Sequence, residues 1–408
     1  MKPLNIVCIS YHAPPLNEVE SLCTGRLLSA LVQLGARVHL ISHDVPATLP
    51  IDINEEIFDE RLCATRVPAE QNGNRFEYMF RYGTHDLHAR WIGPAVSAAR
   101  KILRQYENPI LLTRTFPLVS SYAGFYCRDL AKAWVAHFSD PFPIDQWLLP
   151  HWYSRFAMPL NKRWAIRILD KADLVTVTCS NAIRYMEEKN GYSFRSKAMV
   201  VTHLAMPQLK RGSFTLQRSR DEFVVAHVGA LLAARRPDLL LQGAILAMEK
   251  HPAIRFLQYG GVEPRVLEMC RKSKAFRRLD IRCASADSPR DATDLREQVD
   301  VNVIVDVDLG LPYSPFIPSK FSHSVCSGKP LLIISTEDSQ MAEYTRRYGG
   351  GIFVPYSTPE KVCEAICKLY ELWREERELK IASEYMNEFT PENVVYPFME
   401  RLRRLPER

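Results

Sequence analysis

The chain has 408 residues, 47% hydrophobic and 25% charged, with 53 Lys and Arg against 47 Asp and Glu for a formal charge of +6. This is a globular composition with room for two domains, and the positive balance favours anionic partners such as nucleotide phosphates or a membrane surface. No run of eighteen apolar residues occurs and MKPLNIVCIS enters an apolar strand without a charged leader, so neither a transmembrane helix nor a signal peptide is expected and the protein is read as cytoplasmic.

Leu4–Ser10 reads as a buried strand, Tyr11–Pro15 as a loop, 20–34 as a helix stopped by Gly35, and Arg37–Ser42 as the next strand. A strand, a loop at its carboxyl end, a helix and a second strand open a Rossmann-like sheet. Residues 45–90 are polar and irregular, and His85 and His88 beside Asp86 read as solvated surface, not metal ligands. Then come a helix over 92–106, a strand over 109–113, a helix over 117–130 and a strand over 134–138. The last of these delivers His137, Ser139 and Asp140 to the carboxyl end of a strand, where open α/β sheets bind ligands.

The stretch 145–169 is dense in aromatics and bases, among them Trp147, Trp152, Arg163 and Trp164. A helix packing its tryptophans into the core is preferred over one lying on an anionic membrane. No nucleic-acid motif accompanies it. A strand over 172–178, a helix from Ser180 and a short strand over 197–201 complete the first domain, and polar residues 208–222 read as a linker.

The second half repeats the grammar: strand 223–228, Gly229, helix 237–250, strand 254–259, then Gly260-Gly261. A helix over 264–274, a strand over 280–283, a helix over 291–298 and a strand over 301–305 lead to Asp306 and Asp308. In PSKFSHSVCSGKPLLII, Pro318 and Ser319 suit a helix start, with the serine oxygen capping orphan amides. Phe321, Ser324 and Val325 face inward, Gly328 stops the helix, and 330–334 is a buried strand. Lys320 is placed at the mouth, beside a helix N-terminus suited to an anion. A strand over 352–354 and helices over 359–377 and 391–402 finish the chain. The ten cysteines lack zinc or redox spacings, and Cys363 and Cys367 on one helix face read as packing.

The run of PSK, helix, GKP and apolar strand resembles the donor-binding segment of the retaining GT-B glycosyltransferases, specifically family 4. The N-terminal strand, proline-rich loop and helix resemble that family's opening. WVAHFSDPF resembles a segment of its surface-polysaccharide enzymes. HVGALLAARRPDLLLQGAILA resembles its first donor-domain turn, with Arg235 matching the basic residue there best and Arg236 as the alternative. The resemblance implies an α/β GT-B fold of two Rossmann-like domains facing a cleft. Residues 1–205 would be the acceptor side, joined by a C-terminal helix over 391–408, and 206–390 would bind the donor.

The implied activity is sugar transfer from a nucleotide-diphosphate sugar, UDP or GDP first, to a glycan or lipid-linked acceptor in surface polysaccharide biosynthesis. The resemblance assigns Arg235 and Lys320 to the leaving diphosphate, and His137, Ser139 and Asp140 to the acceptor. It assigns Gly229, Arg235, Arg236, Gly260, Gly261, Ser319, Lys320 and His323 to the nucleotide sugar. It implies no metal and no separate cofactor, and it allows peripheral membrane association. Two departures stand out: 17–20 reads Asn-Glu-Val-Glu where relatives carry a glycine pair, and His323 stands where they carry a glutamate. They leave two rivals: a binding or scaffold protein on the same fold, or another GT-B enzyme such as a nucleotide-sugar epimerase.

Overall fold

The computed structural model describes residues 3–48, 61–72, 75–84, 86–143, 151–205, 214–272, 278–282, 289–377 and 379–406, without the side chains of 75, 151–157, 269–272 and 289. The chain divides into two compact units, Met1–Thr202 with Pro391–Arg408, and His203–Thr390.

The first unit holds β1 (Asn5–Ser10), α1 (Val19–Gln33), β2 (Arg37–His43), β3 (Cys63–Val67), α2 (Arg75–Tyr82), α3 (Ile92–Leu103), β4 (Ile110–Thr115), α4 (Val119–Cys127), β5 (Ala133–Phe138), α5 (His151–Lys171), β6 (Leu174–Val177), α6 (Ser180–Asn190) and β7 (Ala198–Val200). Its sheet is parallel in the order β3-β2-β1-β4-β5-β6-β7. β4, β5 and β6 are buried along their whole length, as strands covered by helices on both faces must be, which is why they read as near-continuous apolar runs.

The second unit holds β8 (Phe223–Val228), α7 (Pro237–Lys250), β9 (Ile254–Tyr259), α8 (Pro264–Lys272), β10 (Asp280–Arg282), α9 (Pro289–Gln298), β11 (Val301–Val305), α10 (Ser319–Cys326), β12 (Leu331–Ser335), α11 (Gln340–Tyr348), β13 (Gly351–Pro355), α12 (Pro359–Arg374) and α13 (Ser383–Asn387). Its parallel sheet runs β10-β9-β8-β11-β12-β13. The core packs Val225, Val303, Leu332 and Ile334 of the strands against Leu240 and Ala244 of α7 and Val362 and Ile366 of α12. The last helix, α14 (Pro391–Arg403), belongs to the first unit, where it meets α1.

Each strand order reverses once, between β1 and β4 and between β8 and β11. Ligands of open α/β sheets sit outside the carboxyl ends of the strands at such a switch point. Tyr11 and Thr115 mark it in the first unit, and Gly229 and Asp306 in the second.

Several sequence expectations need correction. Residues 45–90 are not wholly irregular, since β3 and α2 lie within them. β3 is an edge strand, partly exposed along most of its length, so it lacks an apolar run. α11 and α13 are also additions to the sequence reading, the first a nine-residue helix of mostly polar composition and the second five residues long. Residues 214–222 are not a free linker, because the Phe214 and Leu216 amides donate to Asp294 and Gln298 side chains of α9 at 3.2 and 2.8 Å. Pro318 is the N-cap of α10 and no side chain caps it, so the capping role expected of Ser319 is absent. Trp164 is 1% exposed and donates to the carbonyls of Tyr82 and Gly83, as the core reading requires. His85, Trp147 and the Trp152 side chain lie outside the described residues. Among the described residues no helix is long and apolar enough to cross a membrane.

Candidate functional site

At the second switch point, β8 ends in Gly229, whose amide donates to Tyr259 at 2.8 Å and whose φ of +127° is open to glycine but strained for other residues. A Cβ there would lie 3.5 Å from Cδ and Nζ of Lys320, an ordinary contact, so the backbone angle and not the space is what calls for glycine. Gly260, φ +120°, serves a second close approach, since a Cβ on it would fall 2.8 Å from the Gly229 carbonyl oxygen. Gly261 faces open space.

The chain then makes a tight turn over Ala233–Arg235, and Arg236 adopts φ 48°, ψ 54° as the cap before Pro237 opens α7. The turn aims two guanidinium groups at the end of β11. Arg235 Nη1 donates to the Val305 carbonyl at 3.4 Å, and Arg236 Nη1 meets Asp308 Oδ2 at 3.2 Å. The Asp308 amide donates to the Ala234 carbonyl at 2.9 Å, tying the two loops together. Asp306 is buried and accepts from Ser335 Oγ and the Val307 amide, both at 2.7 Å. Burial pushes its carboxyl above the usual range, with those hydrogen bonds partly opposing the shift.

α10 starts beside this group. Lys320 is not a free cation at the mouth: its amino end is enclosed and its Nζ lies 2.6 Å from His227 Nε2. His227 is fully buried, and its Nδ1 lies 2.7 Å from Gln258 Oε1. Burial, then Arg235 and Arg296, hold Lys320 well below the ordinary lysine range, while burial and Lys320 hold His227 well below the ordinary histidine range. Ser319 begins α10, and His323, on the same helix, is half-buried. The structure thus brings Gly229, Gly260, Arg235, Arg236, Ser319 and Lys320 to one sheet edge.

In the first unit, His137 is not open to solvent. It is 2% exposed and its Nδ1 lies 2.9 Å from Thr176 Oγ1, its register partner on β6. Ser139 Oγ receives Arg114 Nη2 at 2.8 Å and donates to Glu20 Oε2 at 3.0 Å. Asp140 is exposed. Close by, Tyr11 stacks on His43 with centroids 4.5 Å apart and its hydroxyl meets His88 Nδ1 at 2.9 Å.

Sequence reading missed His227, Gln258, Glu20 and Arg114. The available signal for His227 and Gln258 was a polar residue at the penultimate position of a strand, alone in FVVAHV and together with Arg255 in IRFLQY. Among the described residues no group of three or more His, Cys, Asp or Glu side chains could hold a metal ion.

No family model and no curated protein matches the sequence. Solved structures do match along nearly the whole chain. Sucrose-phosphate synthase from Thermosynechococcus elongatus superposes with a TM-score of 0.69 at 16% identity, covering 98% of this chain and 99% of that one. A trehalose-6-phosphate structure from E. coli, bound with UDP-2-fluoro glucose, gives 0.67 at 11% identity over 99% and 100%. WaaG, a glycosyltransferase involved in lipopolysaccharide biosynthesis, gives 0.61 at 11% identity over 97% and 98%. With two parallel sheets and this whole-chain likeness, the chain has the GT-B fold of known glycosyltransferases.

Proposed function

We propose that the chain is a retaining glycosyltransferase that holds a nucleotide-diphosphate sugar at the carboxyl edge of the second sheet and transfers the sugar to a glycan or lipid-linked acceptor of a surface polysaccharide. The observation that carries this reading is the convergence of Arg235, Lys320 and the start of α10 at the β8/β11 switch point. As the bond from sugar to diphosphate breaks, negative charge grows on the leaving group, and fixed positive charge there lowers the barrier. Arg235 supplies a planar fork for phosphate oxygens, Lys320 a point charge, and the Ser319 and Lys320 amides the helix N-terminus. Gly260 lets its turn pack directly on the Gly229 backbone beneath this edge, and the resemblance assigns His323 to the ribose hydroxyls.

In the first unit Asp140, exposed at the end of β5, would orient an acceptor hydroxyl, with Ser139 and His137 shaping the wall behind it. The neighbour bound with UDP-2-fluoro glucose supports a UDP-sugar donor, and WaaG supports a surface-glycan setting. The positive balance of the chain favours an anionic membrane carrying a lipid-linked acceptor. The test is to incubate the protein with UDP-, GDP-, ADP- and dTDP-sugars and lipid-linked acceptors and to read products by mass spectrometry and anomeric proton couplings. A product with the donor's anomeric configuration supports the reading. Epimerised donor without transfer would move the chain to the epimerase class, and no binding of any nucleotide sugar would leave the scaffold reading.

A further inference from the structure

The second unit contains a closed set of contacts that the resemblance does not use. His227 and Gln258 are register partners on β8 and β9. Gln258 Nε2 donates to the Gly229 carbonyl at 2.9 Å, which leaves its Oε1 facing His227 Nδ1 at 2.7 Å as an acceptor. Nδ1 must therefore carry the imidazole proton, and Nε2 presents a lone pair to Lys320 Nζ at 2.6 Å. Cδ and Nζ of Lys320 lie 3.5 Å from where a Gly229 Cβ would stand, so the lysine end sits over the residue whose carbonyl Gln258 holds.

We propose that His227 is a positioning residue for Lys320: as a neutral imidazole oriented by Gln258, it takes one of the three N–H donors of the lysine ammonium and leaves the other two for an arriving diphosphate. The diphosphate rests on the donor reading above, whereas the His227–Lys320 contact stands on the geometry alone. A buried ammonium without an acceptor is costly and tends to lose its proton, and an uncharged amine does little for a diphosphate. Arg235 and Arg296 face both Lys320 and His227, and Asp306 faces Lys320. Burial, then Lys320 and the two arginines, keep His227 neutral, hence an acceptor, and the arginines also press Lys320 to deprotonate. The imidazole is the neutral group that offsets this pressure.

Two variants separate positioning from packing. His227→Gln keeps an acceptor near the Nε2 position and cannot be protonated, whereas His227→Leu removes the acceptor. UDP and GDP binding is measured by calorimetry from about pH 6 to about pH 9, and the His227 ring nitrogens are followed by 15N NMR. We expect His227→Leu to bind UDP about tenfold more weakly near neutral pH, the size of one charge-assisted hydrogen bond, with the loss widening as pH rises. His227→Gln should stay within about threefold of the parent and keep its pH profile. Free parent protein should show the Nδ1–H tautomer, and its Nε2 resonance should move in Lys320→Met.

A loss equal at every pH in both variants would overturn the proposal, as would the Nε2–H tautomer or an Nε2 signal indifferent to Lys320→Met. If His227→Leu does not fold, the glutamine variant and the NMR result decide. Failure of the parent protein to bind either nucleotide would remove the donor reading and the diphosphate step with it, while NMR would still decide the contact.

Discussion

Arg114 and Arg235 both lie at the carboxyl end of a parallel sheet, yet they meet different company. Arg114, 2% exposed, reaches Glu20 at 3.3 Å and Ser139 at 2.8 Å, so its charge is answered by a carboxylate within the same unit. Arg235 donates to the Val305 carbonyl, and Lys320 close by meets the neutral imidazole of His227. Of the two acids at that second edge, Asp308 is engaged by Arg236, and Asp306 has its oxygens on Ser335 and the Val307 amide. One edge is neutralised internally and works as scaffold. At the other, Arg235, Arg296 and Lys320 gather around the neutral His227 and the buried Asp306, and an arriving anion would add to the groups that answer their charge.

The largest test of this contrast is Glu20→Gln. It strands the buried Arg114 guanidinium and should cost about 3 kcal/mol of unfolding free energy in urea titrations, because breaking a buried pair leaves an uncompensated charge. UDP affinity in the folded variant should be unchanged. A loss below about 1 kcal/mol, the range of exposed pairs, would show that water reaches Arg114 and that the two edges are alike.

Next in size is Arg235→Ala, which should weaken UDP binding by about 1.5–3 kcal/mol by calorimetry and leave uridine binding nearly untouched. It should lower stability less than Glu20→Gln, since it removes a cation that stands beside Lys320. Equal losses for UDP and uridine would place the diphosphate elsewhere.

The smallest effect is protonic. Burial, then Arg235 and Arg296, lower the pH at which free Lys320 gives up its proton, with Asp306 partly opposing. The unfolded chain binds that proton more tightly, so this lysine penalises folding at neutral pH, and the penalty fades as pH rises towards the ordinary lysine value. A bound diphosphate favours the charged amine. Binding should therefore take up a fraction of a proton between the free and bound titrations, and affinity should fall as pH rises through that window. His227, held low, adds no proton there. Calorimetry in two buffers of unlike ionisation enthalpy reads the uptake, which Lys320→Ala should abolish. Unaltered uptake in that variant would assign the proton to another group.

Much of the framework was legible in the residue order. β8, α7, β9 and β11 fall on the residues expected from apolar runs and turn signals, because a strand buried on both faces must be apolar throughout and a helix must stop where glycine or an N-cap intervenes. The same signals marked Gly229 as a turn and Lys320 as standing beside a helix start, whereas Arg235 was singled out only by the resemblance. β3 and α11 were not read for the converse reason, since an edge strand and a short polar helix contain few apolar residues.

Sequence alone therefore determined the two parallel sheets and the glycine turns, since burial and backbone strain act on neighbours along the chain. Only the tertiary structure decided which polar groups are spent on one another. Ser139 looked available until β4 and α1 delivered Arg114 and Glu20 to it, and Lys320 looked free until β8 and β9 set His227 and Gln258 beneath it. Those partners lie 25 and 119 residues from Ser139 and 93 from Lys320. Hydrogen bonds depend on distances between atoms that strand order alone brings together, and strand order is not written in any local pattern.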